Sequence, residues 1–314
     1  MRARRTIRIV LCLLFCASVL IFGLPATGKA NGILPVVNDI GQITMDKSQL
    51  WSPGRLAVGA KGTLYVADGY RNHILQFDAH GNYQGDIRFP KVSAIAVASD
   101  GTLYVGSHQD YTVAVVKNGE RIGHLGKGMN EFRSIRDIAI DEATGSIYVA
   151  DQAGNAIKIF TSSGEEIGAI GGVNLPSSIA ITEDSIYVID APVIEDGTES
   201  TTASRISIFD KAYNLVATIE DYEKYTMFNP TDLAVADGIL YVTDAALRSV
   251  LLFDTAGTFR GEIQSIDGDI STAVGLAISP DGIIYVSSSR THSIKIFTIT
   301  AKKDVRTTPD RSGY

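Results

Sequence analysis

The chain is poor in cysteine. It has two in 314 residues, Cys12 and Cys16, and both fall in the first thirty. The rest has none, which excludes disulfides and thiolate metal sites there. Neither cysteine follows a small residue, since Leu11 and Phe15 precede them, so a lipoprotein anchor is not expected. Tryptophan is as scarce, with Trp51 alone. Basic charge is short too, 28 Lys and Arg against 35 Asp and Glu. Five of those basic residues and no acid lie in residues 1–30, so the net charge is −7 with them and −12 without. Such a chain lacks the basic footprint that nucleic acid demands, and no nucleic-acid partner is expected. No Gly-rich phosphate loop, nucleophile elbow or helix-borne metal motif occurs.

Residues 1–30 read as a signal peptide. Arg2, Arg4, Arg5 and Arg8 precede an apolar run from Ile9 to Leu24, and Gly28-Lys29-Ala30 offers small residues for cleavage. The run is short for a membrane anchor, which needs about 20 residues. The expected location is extracytoplasmic: periplasmic, cell-surface or secreted. Membrane contact would come only through this segment left uncleaved.

What the chain has in abundance is repetition. Tyr-Val recurs at Tyr65, Tyr104, Tyr148, Tyr187, Tyr241 and Tyr285, spaced 39, 44, 39, 54 and 44 residues apart. Such a period signals stacked or radial units. Upstream of each Tyr stands an apolar-Ala-apolar step, as in Leu56-Ala57-Val58 and Ile138-Ala139-Ile140. A small residue between two branched ones suits a crowded innermost strand, here strand a. The Tyr-Val strand is b. Asp-Gly turns such as Asp100-Gly101, Asp237-Gly238 and Asp281-Gly282 join them. An apolar strand c follows, as in HILQFD and SVLLFD, then a Gly-marked turn and strand d. Four short antiparallel strands per unit of about 40 residues describe a propeller blade.

These units resemble NHL repeats. Asn72-His73-Ile74 is nearly the Asn-His-Leu step, within a wider pattern of Tyr-Val-x-Asp, Ile-x-x-Phe and Gly. The resemblance covers about residues 40 to 300. Ser107 and Ser288 replace the Asp found at Asp68, Asp151, Asp190 and Asp244. The resemblance implies an exported, bacterial-type six-bladed β-propeller, all-β, spanning residues 31–305, and a monomer is expected. WD40 units would need Trp-Asp pairs, which are absent.

Two segments depart from the repeat. Ile40-Gly41-Gln42-Ile43 copies the strand-d pattern of Ile122-Gly-His-Leu125, whereas blade six has no apolar strand d after strand c. The N-terminal segment is therefore expected to supply that strand and close the ring. Blade four carries the polar, acidic insertion Ala191 to Ser204 between strands b and c. The insertion and the tail, residues 306–314, are expected to be disordered.

The search for chemistry yields little. The resemblance extends to zinc-dependent lyases and gluconolactonase-like hydrolases, which imply metal ligands near the axis. No strand a carries histidine; His73, His108 and His292 lie in b–c loops, spread away from the axis. The residues preceding each strand a are Arg55, Ala94, Asp137, Ser178, Asp232 and Gly275, a polar channel mouth rather than a metal cage. The recurring Asp of Tyr-Val-x-Asp reads as an acceptor for backbone N–H groups of its own turn. No catalytic residue, metal or cofactor is assigned. The expected function is non-catalytic binding of a protein, peptide or glycan on the face formed by b–c and d–a loops. The alternative is a metal-dependent hydrolase or lyase in the axial channel. On that binding face Arg71, Arg205, Arg248 and Arg290, with Arg55, Asp137 and Asp232 at the axis, are the partner-binding candidates.

Overall fold

The computed structural model describes residues 36–44, 50–191, 204–222, 225–226, 229–264 and 272–300. The chain divides into two compact units, Met1–Gly32 and Ile33–Tyr314. The expected signal peptide, the core of the blade-four insertion and the tail lie outside the described residues.

Ile33–Tyr314 is a six-bladed β-propeller. A strand β1 (Val36–Thr44) precedes the first blade. Blade one is β2 (Pro53–Val58), β3 (Leu64–Asp68), β4 (His73–Phe77) and β5 (Tyr83–Arg88). Blade two is β6 (Val92–Val97), β7 (Leu103–Ser107), β8 (Thr112–Lys117) and β9 (Glu120–His124). Blade three is β10 (Ile135–Asp141), β11 (Ser146–Asp151), β12 (Ala156–Phe160) and β13 (Glu166–Ile170). Blade four is β14 (Asn174–Ile181), β15 (Ser185–Ala191), β16 (Arg205–Asp210) and β17 (Leu215–Ile219). A two-stranded ribbon follows, β18 (Asp221–Tyr222) with β19 (Tyr225–Thr226). Blade five is β20 (Pro230–Ala236), β21 (Ile239–Asp244), β22 (Ser249–Asp254) and β23 (Phe259–Gln264). Blade six is β24 (Ala273–Ile278), β25 (Ile283–Ser288) and β26 (Ser293–Thr300).

Each four-stranded sheet is antiparallel, and in blades one to five the strands run in chain order, inner strand to outer. Every inner strand packs on those of both neighbouring blades, and β2 touches both β6 and β24. In the sixth sheet the outermost place beside β26 is taken by β1, with Ile43 opposite Ile294. β1 repeats outer-strand geometry in detail. Its pairing shifts between Asp39 and Gly41, opposite Phe297, as it does opposite Phe77, Phe160, Phe209 and Phe253 in other blades.

The repeated residues explain the packing. In all six blades the Ala of strand a faces the Tyr of strand b, from Ala57 opposite Tyr65 to Ala277 opposite Tyr285. A small residue opposite a large ring lets adjacent blades approach. Among the described residues the apolar core forms six clusters, each shared by neighbouring blades. The cluster between blades six and one contains Ile43 and Leu50 beside Leu56, Phe77, Tyr285 and Ile294. Burial raises the strand-b phenols, that of Tyr241 to about 12. Among the described residues no helix is long and apolar enough to cross a membrane.

Candidate functional site

The six residues preceding the apolar-Ala-apolar steps meet at the axis. Arg55 of β2 reaches across to blades four and five. Its guanidinium donates to the Asp232 carboxylate and, at 2.5 Å, to the carbonyl of Ser177. The Ser178 hydroxyl lies between two carboxylates, 2.7 Å from Asp232 and 3.0 Å from Asp137. Backbone donors supply the rest. Ile138 and Ile179 N–H groups donate to Asp137 at 2.9 and 2.8 Å. Those of Leu233 and Leu276 donate to Asp232 at 3.0 and 2.8 Å. Blades one, three, four, five and six are thus tied by one polar network. The sixth position has no room for a side chain, because a Cβ on Gly275 would run into the carbonyl of Gly54.

Electrostatics follow from burial. Burial alone would lower the Arg55 pKa, but Asp232 and Asp137 outweigh it and the net shift is upward. Burial raises Asp137 to about 6, with Arg55 pulling down and Asp232 pushing up. Among the described residues no three acidic, His or Cys side chains come together as metal ligands. Both oxygens of Asp137 and of Asp232 already accept hydrogen bonds from the fold itself.

Above this floor the ring opens into a cavity of about 580 Å³. Its wall comes from a shift in pairing that recurs at the start of every inner strand, as between Ile135 and Asp137 or Pro230 and Asp232. Such a bulge re-aims a side chain. It turns Gly54, Ser93, Arg136, Ser177, Thr231 and Val274, one per blade, toward the cavity. Arg136 is the charged member. Among the described residues it has no ion pair or hydrogen-bond acceptor. The residue as a whole is exposed; partial desolvation of its guanidinium, then the charge of Arg55, lowers its pKa. His108 is lowered as well, by burial and then by Arg136.

The rim is built by b–c and d–a loops, and the recurring Asp organises it. Asp68 accepts the N–H groups of Trp51 and Ser52 at 2.7 and 3.2 Å, and that of Arg71 at 3.2 Å. Asp151 accepts those of Arg133 and Ser134. Asp244 accepts those of Asn229, Ala246 and Leu247. This extends the sequence expectation: the carboxylate binds the d–a loop as well as its own turn.

The partner-binding candidates take three different places. Arg55, Asp137 and Asp232 form the buried floor, where Asp137 and Asp232 are only 7 % and 4 % exposed. Arg205 makes a two-pronged pair with Asp190, 3.1 Å at each contact. Arg71 is half-buried, whereas Arg248 and Arg290 are exposed. Arg136 was not picked out from the sequence. It stands one residue before Asp137 in a strand whose alternation aims the two apart, and only the bulge brings both to the axis.

No protein family and no curated protein matches the chain by sequence. Solved structures match by fold. A chain of Kuenenia stuttgartiensis hydrazine synthase superposes with a TM-score of 0.60 at 15 % identity, over 83 % of this chain and 99 % of that one. A streptogramin B lyase gives 0.59 at 14 %, over 85 % and 98 %. Virginiamycin B lyase from Staphylococcus aureus gives 0.59 at 13 %, over 85 % and 100 %. At such identities the likeness is one of fold: the chain is a six-bladed β-propeller of four-stranded antiparallel blades.

Proposed function

We propose that this is a binding propeller and that its axial cavity takes an anionic group of the partner or ligand. One observation carries the reading. Arg136 projects into the cavity without an acidic partner among the described residues, above a second guanidinium whose charge Asp232 already meets. Arg136 is exposed to solvent at the cavity, so a carboxylate or phosphate can reach its forked donors and offset the repulsion from Arg55. Asp190, also on the lining, is held by Arg205 and adds no free negative charge. The resemblance to NHL repeats fits a rigid ring that presents loops on one face.

The other reading is a metal-dependent hydrolase or lyase in the axial channel. Two of the similar structures are lyases, but fold alone does not carry activity. That reading needs Asp137 and Asp232 as ligands, and their oxygens are engaged with Ser178, Arg55 and backbone N–H groups.

Calorimetric titration of the purified chain with tetraglutamate and with tetragalacturonate tests the proposal. Arg136→Ala should weaken the binding of anionic probes at least tenfold, about 1.4 kcal/mol. Asp100→Lys with Asp281→Lys, in turns on the opposite face, should leave it unchanged. Arg136→Ala binding both probes as the wild type does, or wild type binding neither, overturns the proposal.

A further inference from the structure

Three rings meet beside the cavity mouth. Trp51, in the segment leading into β2, stacks on Tyr70 of the first b–c loop, with centroids 5.6 Å apart and planes 26° apart. His292, in the b–c loop of blade six, lies against Trp51 at 5.3 Å and 36°. The stack is fixed from its base. The Trp51 N–H donates to the buried Asp68 at 2.7 Å, and the Trp51 carbonyl meets His292 Nδ1. Tyr70 remains 70 % exposed although Trp51 covers part of it. Ser52 and Gly69, the chain neighbours of Trp51 and Tyr70, line the cavity. The stack therefore stands at its rim.

An exposed ring held by a stack is a preorganised flat surface, which loses little freedom when something lies on it. The cavity beside it mixes apolar positions with neutral hydroxyl and amide groups, among them Ser93, Ser177, Thr231, Gln152 and Asn229. These chemistries match a pyranose. One face of that ring carries weakly positive C–H bonds that suit the electron-rich face of an aromatic ring. Its edge carries hydroxyls that suit Ser, Thr, Asn and Gln.

We infer that Tyr70, backed by Trp51, stacks a pyranose ring of an acidic glycan whose anionic group sits at Arg136. The inference rests on the reading of the cavity given above. A chain of sugar acids can satisfy both features: the ring of one unit on the platform, the carboxylate of another at the guanidinium. An acidic peptide would use Arg136 and leave the platform bare.

Trp51 is the single tryptophan of the sequence, so its emission reports the platform directly. Tetragalacturonate should shift that emission saturably. Tyr70→Ala should weaken its binding at least fivefold, and Tyr70→Phe, which keeps the ring, should restore it. Tetraglutamate should leave the emission unchanged. Tetragalacturonate binding equally to the wild type and Tyr70→Ala overturns the inference, as does the lack of any saturable response to a sugar. If tetraglutamate matches tetragalacturonate and only Arg136→Ala matters, the anion reading stands and the stacking inference falls. If neutral cellotetraose binds as well as tetragalacturonate and only Tyr70→Ala matters, the stacking platform stands and the anion reading falls.

Discussion

Arg55 and Asp232, 177 positions apart in the sequence, form an ion pair across the propeller axis. Their side chains are 10 % and 5 % exposed, so solvent screens the pair little. It joins blade one to blade five directly and, through Ser178, to Asp137 of blade three. The floor of the cavity is thus a set of cross-braces.

Removing the cation leaves Asp232 buried and uncompensated. Arg55→Met should therefore destabilise the fold by about 3–5 kcal/mol, the usual loss when one partner of a buried pair goes. Adding Asp232→Asn removes the orphaned charge and keeps an acceptor for the Leu233 N–H, so part of the loss should return. Urea unfolding of the two variants measures this. An Arg55→Met midpoint equal to that of the wild type would show that the brace contributes nothing.

Asp137 makes stability depend on pH with a definite sign. Its folded pKa, about 6, lies above its ordinary value. Its contribution is fully present below the unfolded value, near 3.9, and is lost as pH rises through about 6. Acids held low in the fold, such as Asp100 at about 2, act in the opposite sense but below pH 4. Between pH 4 and 7 the difference in melting temperature between the wild type and Asp137→Asn should change steadily, the wild type losing ground as pH rises. A pH-independent difference would remove Asp137 as the cause.

Gly275 is fixed by space rather than by backbone angle. Gly275→Ala drives a methyl group into the Gly54 carbonyl where blades six and one meet. Overpacking of this kind costs about 1–3 kcal/mol. Gly168 has nothing within 4 Å of a built Cβ, so Gly168→Ala should change stability by less than about 0.5 kcal/mol. Thermal melts that rank the two variants the other way would contradict the close approach.

Strand β1 is expected to latch the ring. Deleting residues 31–45 uncovers the edge of β26 and takes Ile43 out of the core between blades six and one. A loss of about 3 kcal/mol or more, on the order of 6–12 °C for a domain this size, should accompany a rise in aggregation. Calorimetry and light scattering on the deletion variant give the answer. Melting like that of the intact chain would mean that the sixth blade does not need the strand.

Much of the architecture was legible because it is periodic. Ala57, Ala96, Ala139, Ala180, Ala234 and Ala277 recur ahead of Tyr-Val, and in the fold each faces its Tyr. Pairing between neighbouring strands is local, so one chain carries the rule six times over. The strand-d pattern at Ile40-Gly41 was readable for the same reason, and it lies beside β26. The six residues at the axis could be named from their place in the repeat, but not their bonds. Nothing local says that Arg55 reaches Asp232 rather than Asp137, since that depends on the diameter of the ring. Arg136 was hidden for a sharper physical reason. Alternation in a regular strand would aim it away from Asp137, and the shift in pairing between Ile135 and Asp137 turns it into the cavity. The stack of Trp51, Tyr70 and His292 draws on blades one and six, the two ends of the repeat array, which come together when the ring closes.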